Sequence, residues 1–250
     1  MWLKLIILCS MGFLAATVDA IAGGGGLISL PALLMAGVPP HLALGTNKFC
    51  ASTASLNSSV TFARSGKVHF PLVKRQILFT FIGACLGVWA VLNVSSAFLS
   101  KAVLILILLV GFYTLLHKNL GMTDNFKGLT TRNIAIGCGF ALALGFYDGF
   151  FGPGTGSFLI FSFITIYGFD FVVASANSKV LNFISNITAL ILFAVNGKIL
   201  FSYAIPMALF MILGSQLGTR LAIKRGAVLV KPIFITMSLL VAAKLISGML

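Results

Sequence analysis

Residues 18–48 read VDAIAGGGGLISLPALLMAGVPPHLALGTNK, and the fold turns on how they are read. Asp19, the glycines Gly23, Gly24, Gly25 and Gly26, and Lys48 stand inside a run too apolar to live in water. The design returns downstream, where Tyr147-Asp148-Gly149 precedes Gly152-Pro153-Gly154-Thr155-Gly156, and Asn177-Ser178-Lys179 follows. A pattern that occurs twice is not an accident of composition.

Composition says where such a chain lives. Of its 250 residues 59% are hydrophobic and 8% are charged, with a mean hydropathy of +1.11. A soluble domain carries roughly 25% charged residues, so this chain has too little polar side chain to wet its own surface. An all-α polytopic membrane protein follows. A β-barrel is excluded, because barrel strands alternate apolar with polar residues and residues 103–110 read VLILILLV. The net charge of +13 is not a nucleic-acid footprint here; the lysines and arginines sit in short loops, where they set orientation. Glutamate is absent and the acids are Asp19, Asp124, Asp148 and Asp170, so an acid inside a span is conspicuous. Cys9, Cys50, Cys85 and Cys138 lack CxxC spacing and read as small buried hydrophobes. Residues 1–22 imitate a secretory signal. The same character recurs in mid-chain at 140–151, so 3–22 is expected to be a retained span.

Hydrophobic runs cover 3–22, 27–36, 42–63, 72–92, 97–116, 133–151, 158–167, 171–195, 202–223 and 228–250. About eight approach the ~20 residues that a spanning helix needs. The runs 27–36 and 158–167 are half as long, and each follows a glycine break. Asp148 follows Asp19, and Gly152 follows Gly23, by 129 positions. Past a two-residue insertion, Lys48 and Lys179, Gly66 and Gly197, Lys67 and Lys198, Gly83 and Gly214, and Gly87 and Gly218 are all 131 apart. One offset across identical residue types implies two homologous repeats of five segments, 1–116 and 133–250, joined by a polar linker at 117–132.

Loop charge predicts how the repeats are related. The loop 64–75 holds Arg64, Lys67, Lys74 and Arg75, while 93–101 holds only Lys101. In the second repeat the bias swaps: 195–206 holds only Lys198, and 220–231 holds Arg220, Lys224, Arg225 and Lys231. Basic loops stay cytoplasmic, so equivalent loops face opposite sides and the repeats are expected to be inverted. The linker, with Lys118, Lys127 and Arg132, reads as cytoplasmic and both termini as external. The short segments either complete a crossing or re-enter as half-helices.

The breaks carry the chemistry. Glycine costs a helix about 1 kcal/mol and interior proline about 3 kcal/mol, so neither break can persist as good helix. At membrane depth an open backbone is tolerated only where protein buries it or a wet cavity receives it. Each break leaves a short helix whose N-terminal N–H groups make an anion site. Close packing through small residues is the competing account, and Gly152xxxGly156 fits it. Lys48 and Lys179 are either snorkelling residues or ligand cations, since a lysine at depth costs roughly 2.5–3.5 kcal/mol and an anion compensates it. The expected substrate-binding set is therefore Gly23, Gly24, Gly25, Gly26, Thr46, Asn47, Lys48, Gly152, Gly154, Thr155, Gly156, Asn177, Ser178 and Lys179. Ser52, Ser55, Asn57, Asn182, Ser185 and Asn186 extend a polar face, or act as glue between helices.

Asp19 and Asp148 each precede the first glycine of a break by four residues. An intramembrane carboxylate that changes protonation is what proton coupling needs; a salt bridge to Lys48 or Lys179, or a cap on the broken backbone, is the alternative. Asp124 and Asp170 read as solvated linker and loop residues. His41, His69 and His117 have no partner spacing for a metal. No Ser/His/Asp, Cys/His or HExxH set can be assembled, and GGGG lacks the GK[ST] of a nucleotide loop. Neither an enzyme nor a cofactor is expected.

VDAIAGGGGLISLPALL, ALGTNK, GFYDGFFGPGTGSF and SKVLN together resemble the TauE/SafE (sulfite exporter) family of membrane transporters, in particular its bacterial YfcA-like branch. The resemblance runs over essentially the whole chain. It implies a helical inner-membrane protein of two related halves that moves small anions, often sulfur oxyanions or organosulfonates, with proton coupling. The family pattern matches Asp19, Gly23 to Gly26, Asn47, Lys48, Asp148, Gly149, Gly152, Gly156 and Lys179 of this chain. The expectation is a secondary transporter working by alternating access, with the bilayer, a small anion and protons as partners and a homodimer compatible with it. An anion channel, or a membrane scaffold without transport, is the alternative.

Overall fold

The computed structural model describes residues 2–95, 98, 124–126 and 128–247, the stretch from 226 onward by its backbone alone. Among the described residues the chain is helical without strands: α1 (Trp2–Ala22), α2 (Gly26–Met35), α3 (Pro40–Arg64), α4 (Phe70–Leu92), α5 (Thr131–Phe150), α6 (Thr155–Tyr167), α7 (Phe171–Val195) and α8 (Phe201–Ser247). The segment expected at 97–116 and most of the linker at 117–132 lie outside the described residues.

Local signals place the helix ends. Pro40 occupies the first turn of α3, where the missing N–H would have gone unbonded anyway. Thr130 and Asn133 close a capping box on α5, each side chain taking the other's backbone N–H. Asp170 is not merely a solvated loop residue: its carboxylate caps α7, accepting from the N–H groups of Val172 and Val173 at 2.7 and 3.0 Å.

Among the described residues, five helical stretches are long and apolar enough to cross a membrane: Trp2–Ala22, Phe70–Leu92, Thr131–Phe150, Phe171–Val195 and Phe201–Arg225. With relatives described below, this makes the chain a multi-pass integral membrane protein. α3 is also long, at 25 residues, but it carries Asn47, Lys48, Ser52, Ser55, Ser58 and Ser59, all buried. It spends its length against protein. Large apolar side chains such as Trp89, Leu14, Ile205 and Leu213 are exposed on α1, α4 and α8, the surface that lipid covers.

One sequence expectation is corrected. Residues 220–231 were expected to form a loop between two spans, yet the helix runs unbroken through them to Ser247. The stretch RLAIKRGAVLVK is rich in good helix formers, and its lone Gly226 costs only about 1 kcal/mol. Its charges were read as a loop signal; helix propensity outweighs that. At ~1.5 Å per residue the 47-residue helix is far longer than the ~30 Å hydrocarbon core.

The halves exchange partners. α1 packs along α8 and α4 along α5, while α3 packs on α7 and α8, and α4 on α7. In the first of these contacts Gly214 and Gly218 lie against the carbonyls of Phe13 and Thr17; in the second, Gly83 and Gly87 lie against those of Leu142 and Phe146. Leu142 and Phe146 follow Phe13 and Thr17 by the same 129 positions as the aspartates. α3 and α7, equivalent in sequence, run antiparallel. Gly45 near the start of α3 abuts Phe193 near the end of α7, and Asn177 near the start of α7 accepts the N–H of His69, beyond the end of α3, at 2.8 Å.

These close approaches admit no side chain. Gly83→Val and Gly214→Val are expected to cost about 1–3 kcal/mol through overpacking, measured by thermal unfolding in detergent, whereas Gly139→Ala, where a Cβ meets nothing within 4 Å, is expected to change little.

Candidate functional site

Both breaks depend on glycine for conformation. Gly23 and Gly24 have φ of +75° and +89°, and Gly152 and Gly154 have +99° and +88°, a region other residues enter only with strain. The breaks also touch. A Cβ on Gly156 would fall 2.9 Å from the Cα of Gly23, and one on Gly26 would fall 2.9 Å from the Cα of Pro153. Ser157 ties them, donating from Oγ to the carbonyl of Ala22 at 3.1 Å. Segments 129 residues apart in sequence thus meet backbone to backbone, and α2 and α6 begin side by side.

A cavity lies at this junction, with about 430 Å³ of atom-free space, part of it open. Gly24, Gly25 and Gly26 line it from one half and Gly152, Gly154 and Gly156 from the other. No hydrogen bond among the described residues takes up the backbone N–H of Gly24, Gly26 or Gly154. N–H groups at the starts of two helices are therefore available to an anion.

Charge surrounds the cavity in crossed pairs. Lys48 of the first half holds Asp148 of the second, Nζ to Oδ1 2.7 Å, with both side chains buried. Lys179 of the second half holds Asp19 of the first, Nζ to Oδ2 2.6 Å. Three of the four partners are anchored again: Lys48 donates to Asn186 Oδ1 at 3.0 Å, Ser185 donates to Asp148 Oδ2, and the N–H of Gly25 donates to Asp19 Oδ1 at 3.1 Å. Asp19 is thus both a salt-bridge partner and a cap on the first break.

Ten of the sequence-expected residues line the cavity: the six glycines named above with Asn47, Lys48, Asp19 and Asp148. Six stand behind it. Lys179 is fully buried behind Asp19. Gly23 packs on Ser157, and Thr155 donates to the carbonyl of Gly152 at 2.7 Å. Thr46 accepts the N–H of Leu200 at 3.0 Å and Asn177 that of His69 at 2.8 Å, equivalent residues fastening equivalent backbone of the opposite half. Ser178 donates to the carbonyl of Ser175. From the extended polar face, Asn182 and Asn186 reach the cavity.

Ser29, Ala51, Ala54 and Met211 also line it and were not singled out in the sequence. Ser29 had a signal, being the one polar side chain of GLISLPALLM; it donates to Asn47 Oδ1 at 2.6 Å. Met211 had none, because only packing brings α8 to α3. No cluster of three or more metal-ligating side chains occurs among the described residues.

A charged cavity between broken helices of a multi-pass protein is the arrangement of a membrane transporter. Comparison with known proteins gives the family. The family described as "Sulfite exporter TauE/SafE" matches residues 8–245. A Haemophilus influenzae protein described as "Probable membrane transporter protein" is 40% identical over 242 residues, covering 97% of this chain and 94% of its own. The Escherichia coli K12 protein described as "Probable membrane transporter protein YfcA" is 38% identical over 247 residues, 98% of this chain and 90% of its own. Bacillus subtilis YunE, described in the same terms, is 26% identical over 243 residues, 86% of this chain and 88% of its own. No solved structure matches. The chain belongs to the sulfite exporter TauE/SafE family of membrane transporters.

Removing one charge from a buried pair strands the other. Lys48→Met is expected to cost about 3–5 kcal/mol, and adding Asp148→Leu to recover most of it; thermal unfolding of the single and double variants checks the coupling.

Proposed function

We propose that the chain is a secondary transporter of small anions, sulfur-containing oxyanions or organosulfonates, coupled to protons and working by alternating access in the bacterial inner membrane. The observation that carries this reading is the contact between the two glycine breaks, which sets the starts of α2 and α6 and Lys48 around one cavity. The sulfur chemistry comes from the family, whose description reads "Sulfite exporter".

The site is neutral when both lysines are paired, so an anion entering it competes with Asp148 for Lys48. Taking up a proton on Asp148 or Asp19 releases the corresponding lysine to the anion and keeps the buried charge balanced. Anion and proton then cross together. Gly24, Gly26 and Gly154 supply backbone donors, and Asn47, Asn182 and Asn186 supply side-chain amides. Antiparallel α3 and α7 and the exchanged helix contacts support an inverted repeat, in which a rocking of one half against the other opens the cavity to alternate sides.

Uptake into proteoliposomes with sulfite, sulfate, thiosulfate and sulfonates, with and without a pH gradient, tests the proposal. Saturable uptake that the gradient drives and that shows counterflow is expected; non-saturating flux without counterflow indicates a channel. Asp148→Asn is expected to remove the pH dependence, and Gly24→Val to abolish uptake while folded protein remains in the membrane. Uptake by either variant that matches the unaltered chain overturns its assignment.

A further inference from the structure

The cavity does not stop at its charged wall. Its lining reaches Ala54 on α3 and Met211 on α8, and one turn beyond them the two helices share a polar seam. Asn57 donates from Nδ2 to Ser215 Oγ at 2.9 Å, and Thr219 donates to Ser58 Oγ at 3.0 Å. With its amide turned to satisfy both ends, Gln216 donates to Asn57 Oδ1 at 3.0 Å and accepts from Arg220 Nε and Nη2 at 3.1 and 2.9 Å. Asn57, Thr61 and Gln216 are half-buried and Arg220 is exposed.

The duplication supplies its own control. α4 packs on α7 as α8 packs on α3, and the 131 offset aligns the residues. Opposite Asn57, Ser58 and Thr61 stand Thr188, Ala189 and Leu192; opposite Ser215, Gln216, Thr219 and Arg220 stand Ala84, Cys85, Val88 and Trp89. One copy of the interface is polar and the other nearly apolar, although both hold equivalent helices together. Association alone therefore does not require the polar groups. Half-buried amides at membrane depth need water or protein beside them.

Geometry also says where the seam leads. α3 and α8 run parallel, since Cys50 meets the carbonyl of Ala204 and Asn57 meets Ser215. Arg64 at the end of α3 and Arg220, Lys224 and Arg225 on α8, all exposed, therefore lie toward one end of the molecule. A channel walled by one sign of charge concentrates ions of the other.

We infer that the α3–α8 seam is a water-filled anion route from the cavity to this basic end, with Arg220, held by Gln216, setting the field that draws an anion in. The inference rests on the cavity being the substrate site, but its test needs no substrate. Single cysteines are introduced by Asn57→Cys and Gln216→Cys into the full chain with Cys9, Cys50, Cys85 and Cys138 replaced by alanine, and the protein is reconstituted in liposomes. Labelling rates are measured with methanethiosulfonates bearing a sulfonate or a trimethylammonium group. Controls are Thr188→Cys and a background that retains Cys85.

Both seam cysteines are expected to react, the anionic reagent faster than the cationic, and Arg220→Gln to lower that ratio by about tenfold. The controls are expected to stay unreactive. Seam cysteines that react only after denaturation, equal rates with both reagents, or controls that react as fast would overturn the route; thermal unfolding verifies that each variant is folded, and the two seam positions report independently. Lys48→Met combined with Asp148→Leu, the pair of changes that keeps the buried charge balanced, separates the two readings: it is expected to abolish anion uptake and leave labelling unchanged, so loss of uptake and loss of labelling are distinct failures.

Discussion

A charge buried in a low-dielectric interior must have a partner, and here each partner sits in the other half of the chain. Lys48 with Asp148 and Lys179 with Asp19 cross between repeats, so neither half can bury its own charges alone. The desolvation of four ionised groups is tolerable only when both crossed pairs form. This requirement ties α3 to α5 through Lys48 and Asp148 and α7 to α1 through Lys179 and Asp19, and a small polar space lies where the two breaks meet.

The broken helices complete that arrangement. Continuous helices would satisfy their own backbone and offer nothing to a ligand. By interrupting two of them with left-handed glycines, the chain trades local helix energy for unbonded N–H groups where the charges converge. The cost is contained because the breaks lie against each other and against protein, not lipid. Gly25 shows the economy: its N–H is held by Asp19 Oδ1, the same carboxylate whose other oxygen holds Lys179. Backbone break and ion pair are thus one unit.

Exact duplication would give two equivalent faces, and the side chains depart from it. Lys48 lines the cavity while Lys179 is shut behind Asp19. Asn182 and Asn186 reach the cavity from α7, whereas the positions matching them on α3 are Ala51 and Ser55. The glycine contacts and crossed pairs recur in both halves, while the remaining polar residues around the cavity do not.

The sequence by itself determined the membrane class, the positions of both breaks and the charged residues around them. Each is legible for a local reason: glycine and proline act on their own backbone, and an Asp or Lys in an apolar run is costly wherever the chain goes. It did not determine which lysine faces the cavity, that Thr46 and Asn177 fasten backbone across the halves, that Met211 joins the wall, or that residues 220–231 stay helical. Those depend on which helices lie side by side, an outcome set by glycine faces admitting carbonyls such as those of Phe13 and Leu142. Only tertiary structure decided them, since a single chain position carries no record of the neighbour that packing brings to it.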